Sequence, residues 1–146
     1  MKKTNNKGFS LVELIIVIAI MAILIGVLAP QYMRYVEKSR VSADKDLCDS
    51  VYNAMTAAAA DPDNSATAPS ATSGATALNM SGSYGSDVLS TLGVAQTADI
   101  SKKLKSKAFS GQTINYSVDS MGNITISVAV NSGVSGFSAI QIPEAK

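Results

Sequence analysis

A single carboxylate, Glu13, interrupts the apolar run FSLVELIIVIAIMAILIGVLA, which occupies residues 9–29. A charge at the centre of a hydrocarbon layer costs about 2.5–3.5 kcal/mol on insertion scales, and less near an interface. Two chemistries suit such a residue. Either Glu13 lies near one end of the run and reaches water, or it pairs with a positive charge inside an assembly, since buried charges persist when paired. A free α-amino group on Phe9 of a neighbouring copy would serve, provided the chain were cut after Gly8.

The other chemistry-bearing residues are sparse. Lys102, Lys103, Lys105 and Lys107 make a basic cluster, which is either a solvated face or a contact patch for DNA, an anionic surface polymer or an acidic neighbour. Asp61, Asp63 and Asn64 bring oxygens together, but no Gly-x-x-x-x-x-Glu frame follows, so a helix stop and turn explains them better than calcium. Cys48 is the only cysteine and cannot close an intrachain disulfide. Its place beside Leu47 suits a small core residue rather than a reactive thiol. There is no His, nucleophile elbow or phosphate loop, so neither a catalytic site nor a cofactor or metal site is expected.

Composition locates the mass of apolar residues. Of 146 residues 47% are hydrophobic, yet much of that share sits in residues 9–29, leaving a remainder rich in Ser, Thr, Ala and Gly. The remainder has room for one modest domain with a small core. The formal charge is +1; without Lys2, Lys3 and Lys7 nine basic residues face eleven acidic ones. That balance is not the footprint of a strongly nucleic-acid-binding domain.

The 21-residue run is long enough to cross a hydrocarbon core of roughly 30 Å as a helix. It follows the basic segment MKKTNNKG and lacks an A-x-A-like cleavage site before Pro30, which argues against an ordinary secretory signal. A plain membrane anchor stays open on these grounds. Lysines before the run and Arg34, Lys38, Arg40 and Lys45 after it leave orientation undecided by charge. Gly26 and Pro30 predict a break or kink at the end of the run.

Beyond Pro30 the sequence again reads as helix to about Ala60, giving an interrupted rod of roughly 75 Å. Tyr32, Val36, Ala43, Leu47, Val51, Met55 and Ala58 form the expected apolar stripe. Arg40 with Asp44 and Lys45 with Asp49 are the expected surface pairs, and Asp61-Pro62 ends the helix. Tyr32 and Tyr35 are placed at a membrane–water boundary. Residues 61–86 read as a long surface loop. Two short helices follow: one from a cap at Ser86 or Asp87 to Leu92, ended by Gly93, and one from Asp99 that buries Ile100, Leu104 and Ala108. Period-two alternation marks strands at Ile114–Val118, Ile124–Val130 and Phe137–Ile142, the first two joined by a turn at 119–123. A three-stranded meander needs a cover, and the Leu47–Ala58 stripe supplies one.

The stretch KGFSLVELIIVIAIMAILIGVLAP, residues 7–30, closely resembles the class III signal of type IV pilins and pseudopilins. The resemblance implies a cut by a prepilin peptidase between Gly8 and Phe9, N-methylation of Phe9, and pairing of Glu13 with the amino terminus of a neighbouring subunit. It also implies a cytoplasmic leader, a single-pass precursor in the inner or cytoplasmic membrane, and an extracellular filament after assembly. Gly26–Pro30 then falls where pilin helices unwind on assembly.

The expected fold is α+β: a long, partly protruding N-terminal helix packed on a small antiparallel sheet. The parts are a leader (1–8), a transmembrane and assembly helix (9–30), its amphipathic continuation (31–60) and a head (61–146). The expected role is a structural subunit of a homo-oligomeric helical filament, with the membrane, a prepilin peptidase and pilus assembly machinery as partners. Adhesion is one task such a filament performs. A pseudopilin of a secretion or competence system is the alternative.

Overall fold

A computed structural model describes residues 8–144; the lysines of the leader lie outside this range. The chain divides into two compact units, residues 8–36 and 37–144, each described by itself. Helix α1 (Leu11–Ala59) is the first element.

In the first unit α1 is apolar on every side. Its most apolar 18-residue window has a mean hydropathy of 3.1 and none of it is buried. Leu14, Ile18 and Ile25 are each more than half exposed. A helix greasy all round suits lipid or a partner helix, not water. The helix runs without interruption through Gly26 and Pro30, in place of the break expected there. Pro30 lacks only its own N–H and so frees one carbonyl, that of Gly26 four residues before it. The remaining ladder is sufficient for helix in a single chain.

The second unit is α+β. After α1 come a 3₁₀ turn (Pro62–Asn64), strand β1 (Thr76–Ala77), helices α2 (Gly82–Leu92) and α3 (Thr97–Ser101), and strands β2 (Asn115–Val118), β3 (Ile124–Val128) and β4 (Ile140–Ile142). The sheet is antiparallel in the order β1-β2-β3-β4, with Tyr116 opposite Ile126 and Ile126 opposite Ile142. It therefore has four strands rather than three. β1 is two residues long and pairs Thr76 with Tyr116, too short to leave an alternation in the sequence.

Burial alternates along β3, with Ile124, Ile126 and Val128 inward. These join Val51, Met55 and Ala58 of α1, Val88 of α2 and Phe109 in one core. The buried stripe of α1 is Asp44, Cys48, Val51, Ala54, Met55 and Ala58. It is rotated from the expected one: Ala43 is exposed and Leu47 half-buried. The expected surface pairs also differ. Asp44 is buried and Arg40 faces Glu37 at 3.9 Å, while Lys45 Nζ lies 3.3 Å from Glu144.

Local chemistry explains the boundaries. Asp61 accepts a hydrogen bond from the Asp63 amide at 3.0 Å, which makes the acidic cluster a helix stop as expected. The following segment is mostly exposed and irregular, but it is anchored at its start. Asn64 is buried and donates to the Ala58 carbonyl at 3.1 Å and the Asp87 carboxylate at 2.7 Å. α2 begins at Gly82, not at Ser86 or Asp87, because Tyr84 is buried and donates its hydroxyl proton to the Met55 carbonyl at 3.0 Å. Its end is as expected: Gly93 adopts φ 62°, the left-handed cap that favours glycine. α3 starts at Thr97 and stops at Ser101, yet Ile100, Leu104 and Ala108 are all buried, the last two from beyond the helix. At the turn between β2 and β3, Asp119 accepts from Asn123 Nδ2 and from the Met121 and Asn123 amides, each at 2.8 Å. These donors, the Asn123 side chain first, hold its carboxyl below the usual range.

Candidate processing and assembly site

Two sets of residues carry the candidate chemistry, one in each unit. In the first, Phe9 is 95% exposed and a Cβ added at Gly8 would meet nothing within 4 Å. Packing in the described chain therefore does not require glycine at position 8. The same holds at Gly26, where glycine weakens a helix by about 1 kcal/mol relative to alanine.

Glu13 is already engaged. Its Oε2 accepts the backbone N–H of Ser10 at 2.8 Å, and the Leu14 amide donates to the Ser10 carbonyl at 3.3 Å. Ser10 thus stands at the N-cap with Glu13 three residues on, reaching back to satisfy an orphan donor of the first turn. The S-x-x-E spacing of Ser10–Glu13 was legible in the sequence, and it adds Ser10 to the residues of interest. A carboxylate there also opposes the positive end of the helix dipole. Glu13 can therefore be held within its own chain, and any positive partner must compete with, or add to, the Ser10 amide.

In the second unit, two acidic side chains of α1 grip the basic segment by its main chain. Asp44 Oδ1 and Oδ2 accept the Lys105 and Ser106 amides, both at 2.9 Å, and Glu37 accepts the Lys107 amide. Asn131 holds the other side, donating to the Lys107 and Ser110 carbonyls at 2.9 Å each. Leu104, Ser106 and Ala108 point inward, and Lys103, Lys105 and Lys107 outward between them. Lys102 is also exposed but lies 2.9 Å from Asp99. The four lysines do not share one face of a helix, since α3 ends before them.

Cys48 lies one turn beyond Asp44 and is fully buried. Burial first, then the charges of Asp44 and Asp49, pushes its thiol up to about 12. Such a thiol is unreactive at neutral pH, because the thiolate is the nucleophile.

Comparison with known proteins locates the strongest similarity at the N-terminus. A family model described as the prokaryotic N-terminal methylation motif matches residues 3–29. The type IV major fimbrial protein FimA of Dichelobacter nodosus is 50% identical over 40 residues, which is 27% of this chain and 26% of that protein. The chain therefore spans about a quarter of the length of the fimbrial relatives it matches. Prepilin peptidase-dependent protein A of Clostridium perfringens is 25% identical over 131 residues, 87% of this chain and 88% of that protein. No solved structure matches. The exposed Gly8–Phe9 pair, Glu13 and the apolar start of α1 thus lie within the segment that matches the prokaryotic N-terminal methylation motif, and the chain as a whole is similar to fimbrial and prepilin peptidase-dependent proteins.

Proposed function

We propose that this protein is a structural subunit of a type IV pilus-like filament. It is cut between Gly8 and Phe9, methylated at Phe9, and assembled by packing of its apolar helix against copies of itself. The observation that carries this reading is the first unit of α1, whose large apolar side chains are exposed on all sides around a single carboxylate. Such a surface needs lipid before assembly and other helices after it. Glu13 then exchanges or shares its Ser10 contact with the amino terminus of a neighbour. Gly26 and Pro30 form the weakest stretch of the helix and the place where it opens on assembly.

A pseudopilin of a secretion or DNA-uptake system is the second reading. It draws on the similarity, over 87% of this chain, to a Clostridium perfringens protein named for its dependence on prepilin peptidase. Both readings place the precursor in the cytoplasmic membrane with its leader inside. The test is to shear cells and probe the released material for this subunit. Abundant long fibres support the pilus reading and sink the pseudopilin one. Gly8→Ala is expected to leave an uncut precursor and no filament; unchanged size and localisation would reduce the chain to a simple membrane anchor.

A further inference from the structure

We propose that Lys103, Lys105 and Lys107, with Arg40 of α1, form a contact surface for anionic lipid headgroups beside the point where the chain leaves the membrane. The proposal rests on the membrane-spanning reading of α1 given above.

The neighbouring carboxylates make other contacts than ion pairs with these lysines. Glu37 and Asp44 accept main-chain amides of residues 105–107, and Asp99 pairs with Lys102. Among the described residues no acidic partner lies within 4.0 Å of Lys103, Lys105 or Lys107. Arg40 is half exposed and its contact to Glu37 is long, at 3.9 Å. The segment is also fixed in place. Asp44, Glu37 and Asn131 hold its backbone from two sides, so ordering the main chain costs little when a partner binds.

Chain length supplies the partner. Lys107 is tied to Glu37, seven residues after Pro30. Seven residues span about 10 Å as helix and at most about 25 Å fully extended. Whatever the arrangement of the two units, covalent connection keeps the Lys107 clamp within that distance of the end of the apolar run, so the lysines can reach a bilayer that holds residues 9–29. A basic residue near an anionic surface gains about 1 kcal/mol, falling off within a Debye length. A few such charges bind a free polymer weakly, because association itself is costly. On a tethered surface that cost is largely met by insertion of the helix. The same cluster therefore favours a bilayer over DNA.

The test uses the full chain in nanodiscs of phosphatidylcholine, with or without phosphatidylglycerol. Lysine acylation is followed by peptide mass spectrometry. At low salt, Lys105 and Lys107 are expected to react about five-fold more slowly, or less still, with phosphatidylglycerol present. About 0.5 M salt should restore the rate. Lys45, paired with Glu144, serves as internal reference. In the variant K105Q/K107Q, the lipid-dependent protection of Lys103 is expected to weaken. Its fold should persist, because the clamp uses main-chain amides and not the lysine side chains. Equal rates in both lipids with the helix inserted overturn this proposal and leave the membrane reading standing. A chain that fails to insert overturns both. Protection by duplex DNA but not by phosphatidylglycerol overturns the proposal in favour of a nucleic-acid surface.

Discussion

Asp44 is the residue whose removal tests the head most directly. It is 2% exposed, and each of its oxygens accepts one main-chain amide at 2.9 Å, from Lys105 and Ser106. Asp44→Ala strands the buried Ser106 N–H at about 2 kcal/mol and weakens the more exposed Lys105 N–H at about 1 kcal/mol. Removing a buried carboxylate returns part of its desolvation cost, so the net expected loss is about 2–3 kcal/mol. Asp44→Asn keeps one acceptor and should lose about half of that. The assay is urea unfolding of the full chain in micelles, followed by tyrosine fluorescence; the chain has five Tyr and no Trp to obscure them. Amide exchange of residues 104–108 reads the clamp itself. Asp46→Ala, at an exposed site on the same helix, should stay within about 0.5 kcal/mol of wild type. An Asp44→Ala protein that matched this control, with residues 105 and 106 still protected, would refute the clamp.

Gly85→Ala should destabilise the head by about 1–3 kcal/mol, since the new Cβ would lie 2.6 Å from the Met80 carbonyl carbon; a melting temperature equal to wild type would contradict that. Alkaline pH should also destabilise the head. Folded Cys48 and Tyr84 hold their protons up to about 12, both mainly through burial, against ordinary values of 9.0 and 10.0. Unfolded chains release these protons first, so stability is unaffected below pH 9.0 and falls as pH rises from there towards 12. Denaturation midpoints across that range check it, and Cys48→Ala should remove the earlier part of the fall. Glu13→Ala should leave processing intact but stop or strongly slow assembly, as read by immunoblot of the cut subunit and by sheared-fibre yield. Normal fibres would contradict the pairing role of Glu13.

Residues 9–29 were readable because their selection is by solvent. Whether a helix is long and apolar enough to cross a membrane depends on length and composition and not on a tertiary partner, so that much was legible. The same reasoning isolated Glu13, since one charge in that run has to be accounted for. Short-range geometry was legible too: the Asp119–Asn123 turn, the left-handed Gly93 and the inward alternation of Ile124, Ile126 and Val128 each depend on neighbours a few residues apart.

The expected packing of α1 on the sheet is present, but some details that depended on distant neighbours were misread. Asp44 looked like the partner of Arg40 four residues before it, but its oxygens are taken by amides 61 and 62 residues away. The buried stripe of α1 accordingly includes Asp44 rather than Ala43, with Leu47 only half-buried beside the core residue Cys48. β1 and the first turn of α2 exist because β2 offers a free edge and the Met55 carbonyl offers Tyr84 an acceptor. Sequence by itself determined the membrane-competent helix, its lone carboxylate and the period of the strands, since these follow from solvent and local backbone geometry. Only the tertiary structure decided where the carboxylates of α1 go and which lysines are left without them, because a buried acceptor is claimed by whichever donor the fold brings to it.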